Sequence, residues 1–430
     1  MIRRILAAAL IASVVFGVSY LFTRTSNAQT KPTVVLEGTL TGKVKLKKNK
    51  NYVLVGGVFI KKKLIIQPGT QIFGSLGSFL VIDKGATIQA LGTREQPIIF
   101  TSAAPSGRKR RGDWGGLIFN GNAPINVPTG LAQGEGGTGQ YGGGATPNAS
   151  ESSGVMRFVR VEYGGFAISP ENELNCIAFQ GVGSGTDIDF LASLWGGDDG
   201  IEMFGGNVSM KHVAIVGAGD DCFDWTFGWS GKAQFILAQQ RGEEADAGIE
   251  ADNNDVDNNF TPRSSPKIMN ATFVGDPTTG TGSTRGVLLR RGTAGELRNF
   301  IVTGFKNVGL EINGAVSLAQ LENDNLQIRG AIFFNNGANA VPAGADFTAA
   351  TVTAIQSKGV KIFQANPLLA DPFSKTDPDF RPQAGSPALV AANAEAPFAN
   401  DSFFTAAPYL GAFDGNEDWT LGWVNYVFGN

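Results

Sequence analysis

Two stretches of the sequence concentrate carboxylates at a fixed interval. Gly196–Gly206 reads GGDDGIEMFGG and, 22 residues on, Ala218–Gly228 reads AGDDCFDWTFG. In each, two aspartates are followed by a small residue, an apolar residue and a third acid. A looser copy follows in DAGIE, with Asp246 and Glu250. Aligned, Asp198, Asp220 and Asp246 fall in one column, Asp199 and Asp221 in the next, and Glu202, Asp224 and Glu250 in a third. Like charges stacked this closely repel by about a kcal/mol or more when partly screened. Something must offset that: a cation, hydrogen bonds from turn amides, or solvent. Oxygen-only donors on adjacent segments suit calcium, which takes six to eight oxygens from carboxylates and carbonyls. The other expectation is aspartates bonded to turn amides, with the outward glutamates solvated.

Aromatic residues cluster with the acids. Trp195, Trp225, Trp229 and Phe204, joined by Phe227, lie in or directly beside the two stretches. Rings beside carboxylates can bind sugars by stacking and hydrogen bonding, and the same rings can fill a core. Arg290 and Arg291 in GVLLRRG follow Glu250 by one repeat. A basic residue there could remove the proton next to a uronate carboxylate bridged by calcium, so Arg290 is a candidate catalytic residue.

Other motifs carry less. DNNDVDNN (Asp252–Asn259) lacks the glycine at position 6 and the glutamate at position 12 of a calcium loop, and reads as unstructured, solvated loop. GEGGTG (Gly134–Gly139) satisfies a dinucleotide pattern without the strand and helix that give it meaning. His212, the only histidine, sits in an alternating run and reads as structural. Zinc and Ser-His-Asp chemistry have too few ligands or partners here. GRKRRGDW (Gly107–Trp114) reads as a solvated basic turn, or as an attachment point for acidic glycans.

What positions these residues is a repeat. Cys176, Gly200, Cys222, Gly248, Gly286 and Gly309 each open a small–apolar–outward segment, at intervals of 24, 22, 26, 38 and 23 residues. Between them lie runs of period 2, such as RFVRVEYGG, MKHVAIVGAG and KAQFILAQQ, which read as strands. The 58 glycines supply the bends, and no 3.6-residue period is long enough for a crossover helix. A repeat in the low twenties with short strands and Gly/Asn/Asp turns means a solenoid. The fold class is therefore all-β, a parallel β-helix with long loop insertions at Val127–Gly154 and Asp252–Pro266. Cys176 and Cys222 share a column two coils apart, roughly 10 Å, beyond the ~7 Å reach of a disulfide, so both are expected as free thiols.

GDWGGLIFNGNAPIN (Gly112–Asn126), SGVMRFVRVEYGG (Ser153–Gly165), the acidic region Asp198–Gln240 and GIEADNN (Gly248–Asn254) together resemble a group of exported bacterial right-handed β-helix proteins, similar in fold to pectate lyases and without an established activity. DPDFRPQAGSPAL (Asp377–Leu389) resembles the last-coil segment of that class. The resemblance implies fold and export, and leaves function to the site.

The N-terminus pairs Arg3 and Arg4 with an apolar run, Ile5–Phe22, and small residues at Ser26-Asn27-Ala28, the pattern of a signal peptide over residues 1–28. Residues 29–395 then form the β-helix and 396–430 an aromatic capping segment. Without residues 1–28 there are 32 basic and 38 acidic side chains, a balance that disfavours nucleic acid and anionic membrane surfaces as partners. No later apolar run spans a bilayer. The expectation is an exported cell-surface or extracellular binding and structural protein, with a polysaccharide or cell-envelope glycan as ligand. A calcium-dependent polysaccharide lyase and a self-assembling scaffold are the alternatives.

Overall fold

Strands whose alternate side chains are apolar need a second layer to bury them, and a chain wound on itself provides one. The computed structural model describes residues 31–169, 172–337 and 361–430. In it, 23 strands join one continuous sheet whose pairings are all parallel. The signal-peptide expectation lies outside the described residues. Among those described, no helix is long and apolar enough to cross a membrane.

Each coil presents three faces. The first stacks residues 33–37, 51–55, 71–74 and 98–102 and continues upward. The second stacks 38–40, 58–60, 79–82 and 116–119, then Ile177–Gln180, Ile201–Phe204, Phe223–Thr226, Ala247–Ala251, Arg285–Leu289 and Val308–Ile312. The third begins with Lys43–Leu46, Lys63–Ile66 and Thr87–Leu91. On the second face Ile177, Ile201, Phe223, Ile249, Val287 and Leu310 are register partners pointing inward. Their spacing reproduces the sequence repeat, so every interval is one coil. The 38-residue interval is one coil carrying the Asp252–Pro266 insertion.

From Gly154–Glu162 onward one long strand runs from the third face into the first, through a residue in the left-handed region. Phe158, Phe190, His212, Phe235, Asn270, Asn299 and Gly330 occupy this corner, with φ between 46° and 63°. Only a repeated gain offsets that strain in non-glycine residues. Here the rings stack outside the solenoid: Phe158–Phe190 at 4.3 Å, Phe190–His212 at 4.4 Å and His212–Phe235 at 4.8 Å between centroids.

The aromatic C-terminal segment covers this corner, on the flank of the solenoid rather than across an open end. Trp423 packs edge-on to Phe158 and Phe190, and Trp419 to His212. Asn270 donates to the Tyr409 carbonyl and Asn299 to that of Glu395. Ala412, Phe413, Trp419 and Trp423 belong to the main apolar cluster, each large ring contributing roughly 1.5–3 kcal/mol by burial. The segment Asp377–Leu389 is not a further coil: Leu369–Asp371 and Asp379–Pro382 pair antiparallel, apart from the main sheet.

Cys176 and Cys222 are buried free thiols. His212 is structural, its Nδ1 2.7 Å from Asp189. The segment DNNDVDNN departs from the solvated-loop expectation. Asp252, Asn253 and Asn254 are buried, because Asn253 and Asn254 exchange amide hydrogen bonds with Asn126 and hold the turn to Phe260. The basic turn is also partly folded in: Arg111 Nε donates to the Gly217 carbonyl and Lys109 Nζ to Thr101.

Candidate functional site

The outward column of the second face reads Phe59, Val81, Ile118, Ala178, Glu202, Asp224, Glu250, Leu288, Glu311. It switches from apolar to acidic at Glu202. The apolar half is roofed by the insertion after residue 126, whose Tyr141 packs with Ile118, Ile125, Ala178 and Phe204. The acidic half meets the aspartates of the preceding turn. Asp199, Asp221 and Asp224, all buried, bring one carboxylate oxygen each within 4.8 Å of one another; so do Asp198, Asp199 and Asp220, and Asp220, Asp221 and Asp246.

These acids are not alike. Asp246 receives two hydrogen bonds from Arg285, at 2.7 and 2.6 Å. Glu250 is paired with Arg290, which also reaches Asp252 at 2.9 Å. Arg291 adds 2.7 Å to Asp252, and Arg285 3.0 Å to Glu311. In contrast Asp198, Asp199, Glu202, Asp220, Asp221 and Asp224 have no cationic partner among the described residues. They lean on weaker donors: Asp221 N–H to Asp199 at 3.0 Å, Ala247 N–H to Asp221, and the Asn175 amide to Glu202. Asp224 Oδ1 is buried and accepts nothing.

The turn-amide expectation holds for Asp199 and Asp221, whereas the outward glutamates are not solvated: Glu202 is bonded by the Asn175 amide and Glu250 is paired with Arg290. Burial, followed by the neighbouring carboxylates, raises Asp199, Glu202, Asp221 and Asp224 well above the usual carboxylate range. The same causes push Asp198 up to about 7. Burial also lifts Glu250 to about 7 against the opposing pull of Arg290. Six carboxylates so placed need shared protons or a cation. Oxygen donors from two successive coils, with one oxygen orphaned, fit a hard divalent ion such as calcium.

Arg290 is not placed to act as a base. Burial alone would lower its pKa, but Asp252 and Glu250 outweigh it and hold the guanidinium charged. The aromatic surface is corrected too. Trp225 lies in an inward column between Met203 and Ala251, and its Nε1 donates to Thr293. Trp229 is enclosed, donating to the Val208 carbonyl. Trp195 is covered by Phe428 and the guanidiniums of Arg111 and Arg241. Phe204 faces outward beneath Tyr141 and Phe227. None of the four offers a ring face to a ligand, because position 225 shares the inward parity of 223, Trp229 is enclosed, Tyr141 of the insertion covers Phe204, and the C-terminal Phe428 covers Trp195.

Sequence reasoning missed the cleft beside the acids. A cavity of about 390 Å³ opens on the second face, lined by Asn258, Arg285, Arg290, Arg291, Glu311 and Asn313 among others. That volume is in the range of small-ligand pockets. Its signal was present: aligning coils across the 38-residue interval sets Arg285 against Ala247, beside Asp246.

No curated protein and no solved structure matches the chain. Its sequence matches the family model for the pectate-lyase like beta helix domain over residues 38–365. The wound parallel sheet, the inward apolar columns and this match agree: the chain belongs to the pectate-lyase like beta helix domain family.

Proposed function

We propose that the protein is an exported carbohydrate-binding β-helix whose ligand is an acidic glycan held on the second face, with calcium in the adjoining carboxylate cluster. The observation that carries this reading is a juxtaposition. An uncompensated acidic cluster, with Asp224 Oδ1 orphaned, adjoins an arginine-lined cleft on one face of the solenoid. The arginine fork matches carboxylate geometry, and Arg291 is the most exposed of the three guanidiniums. Asp199, Asp221 and Asp224 would hold the ion, with Asp198, Glu202 and Asp220 at its margin. Calcium there supplies positive charge that neutralises the cluster and draws an anionic sugar towards the face. The charged state of Arg290 favours binding over proton abstraction.

Calorimetry with polygalacturonate and with dextran, each with calcium and with chelator, tests this. Binding of polygalacturonate that weakens about tenfold or more in Arg291→Ala and in chelator, without release of unsaturated product, is the expected result. Equal binding of dextran, or no heat with either polymer, rejects it. Release of unsaturated uronate makes the protein a lyase instead.

A further inference from the structure

We propose that the N-terminal end of the solenoid docks on the surface of an anionic lipid bilayer through a sheet of lysines. Residues 31–70 contain nine lysines and one carboxylate, Glu37, whereas residues 71–430 contain 23 basic and 37 acidic side chains. The overall charge of −3 thus conceals a molecule with a cationic end and an anionic body. This revises the expectation drawn from net charge, which treats the chain as uniform.

The lysines occupy one side of the first two coils. Lys43, Lys45 and Lys63 point outward on the third face while Val44, Leu46, Leu64 and Ile66 turn inward. Lys47 and Lys48 continue the patch into the turn after that face. Lys43 and Lys63 are register partners, one strand spacing apart at about 4.8 Å. Like charges directly opposite on neighbouring strands destabilise a sheet, so folding gains nothing from them. Among the nine, Lys61 has an ion pair, with Asp83; no other carboxylate of the described residues pairs with the patch.

The form of the patch favours a bilayer over a polymer. It is a broad strand surface at one end of a rod, with no exposed ring to stack on a base or sugar; Tyr52, the nearest tyrosine, is buried and bonded to the Lys47 amide. Each lysine close to an anionic leaflet adds attraction that decays within a Debye length. The acidic body is repelled by the same surface, so the third face of the first coils lies against the lipid and the rest of the rod tilts away from it. In the sequence eight residues separate the apolar run Ile5–Phe22 from Lys31, so the lysine-bearing coils directly follow the expected signal peptide. The inference is independent of the carbohydrate reading.

The test is sedimentation of the full chain with vesicles of phosphatidylcholine alone and of phosphatidylcholine with about 30% phosphatidylglycerol. An apolar segment does not discriminate headgroup charge, so the difference between the two vesicles isolates the lysines. At about 0.1 M salt the anionic vesicles should bind at least roughly tenfold more tightly, and at about 1 M salt the preference should vanish. A variant with Lys43→Gln, Lys45→Gln, Lys47→Gln, Lys48→Gln and Lys63→Gln should lose the preference while keeping its thermal midpoint. No preference in the full chain, or a preference retained in the variant, overturns the proposal. So does displacement from vesicles by an equimolar short DNA duplex or polygalacturonate, which would assign the patch to a polymer.

Discussion

Asp224 Oδ1 has no donor, and its neighbours Asp199 and Asp221 are carboxylates raised by burial and by one another. A carboxyl whose pKa is higher folded than unfolded holds a proton that the unfolded chain has released. Stability is then greatest near the unfolded value of about 4 and falls as pH rises towards the folded value. Asp198 and Glu250, each pushed to about 7, place much of that loss between about pH 4 and 7. In chelator the thermal midpoint should therefore decline across this interval. Calcium binds the deprotonated cluster, so it should oppose the decline, restoring on the order of 5 °C at pH 8 when present at a hundredfold excess over its Kd. Asp224→Asn should raise the midpoint in chelator at pH 8 and blunt the calcium response. Scanning calorimetry over a pH series, with and without calcium, reads all three; a midpoint that is flat in chelator refutes the account. The acidic columns themselves were legible because register follows the repeat. Their counter-charges were legible only in part: Arg290 and Arg291 align one repeat beyond Glu250, but the insertion breaks the period and hides Arg285 opposite Ala247. The burial of Trp195 was equally hidden, because its cover, Phe428, lies more than 200 residues away.

Between residue and molecule, the corner from third to first face explains why strands were readable and their bend was not. In Ser209–Val216 the inward residues are Met210, Val213 and Ile215. The step from 210 to 213 is three residues, not two, because left-handed His212 shifts the phase. Lys232–Gln239 makes the same slip at Phe235, between Ala233 and Ile236. A reading by strict alternation smooths over it and sees one straight strand. Where rings give way to amides, the corner does two things at once. Asn270 holds φ 58° and bonds both Gln234 and the Tyr409 carbonyl. Asn270→Ala should cost about 2–4 kcal/mol, from left-handed strain and lost hydrogen bonds. Asn270→Gly keeps the backbone freedom and loses only the bonds, so it should cost about 1–2 kcal/mol less than alanine. Equal losses in denaturant unfolding would mean that the corner stores no strain.

At the scale of the molecule, a solenoid couples each coil only to its neighbours, and its unfolding tends to lose cooperativity with length. The C-terminal segment works against that tendency. Residues 395–430 touch every coil from that of Asn299 back to that of Phe158, through Glu395, Tyr409, Thr405, Trp419 and Trp423. The chain end reaches further still, with the Gly429 carbonyl accepting from Gly107 and the Asn430 carbonyl from Tyr163. The aromatic composition of this segment gave its role as a cover. Its path along the flank was not readable, since the column it seats on exists only after the coils stack. Ending the chain at Ala394 uncovers the Phe158–Phe190–His212–Phe235 stack and removes Phe413, Trp419 and Trp423 from the main apolar cluster. The thermal midpoint should drop by on the order of 5 °C or more. More telling, one sharp transition should broaden into steps, with hydrogen exchange in Ser209–Val216 and Lys232–Gln239 accelerating before that in the lysine-bearing first coils. If the truncated chain still melts in one transition of unchanged width, cooperativity resides in the coils themselves and the segment is only a cover.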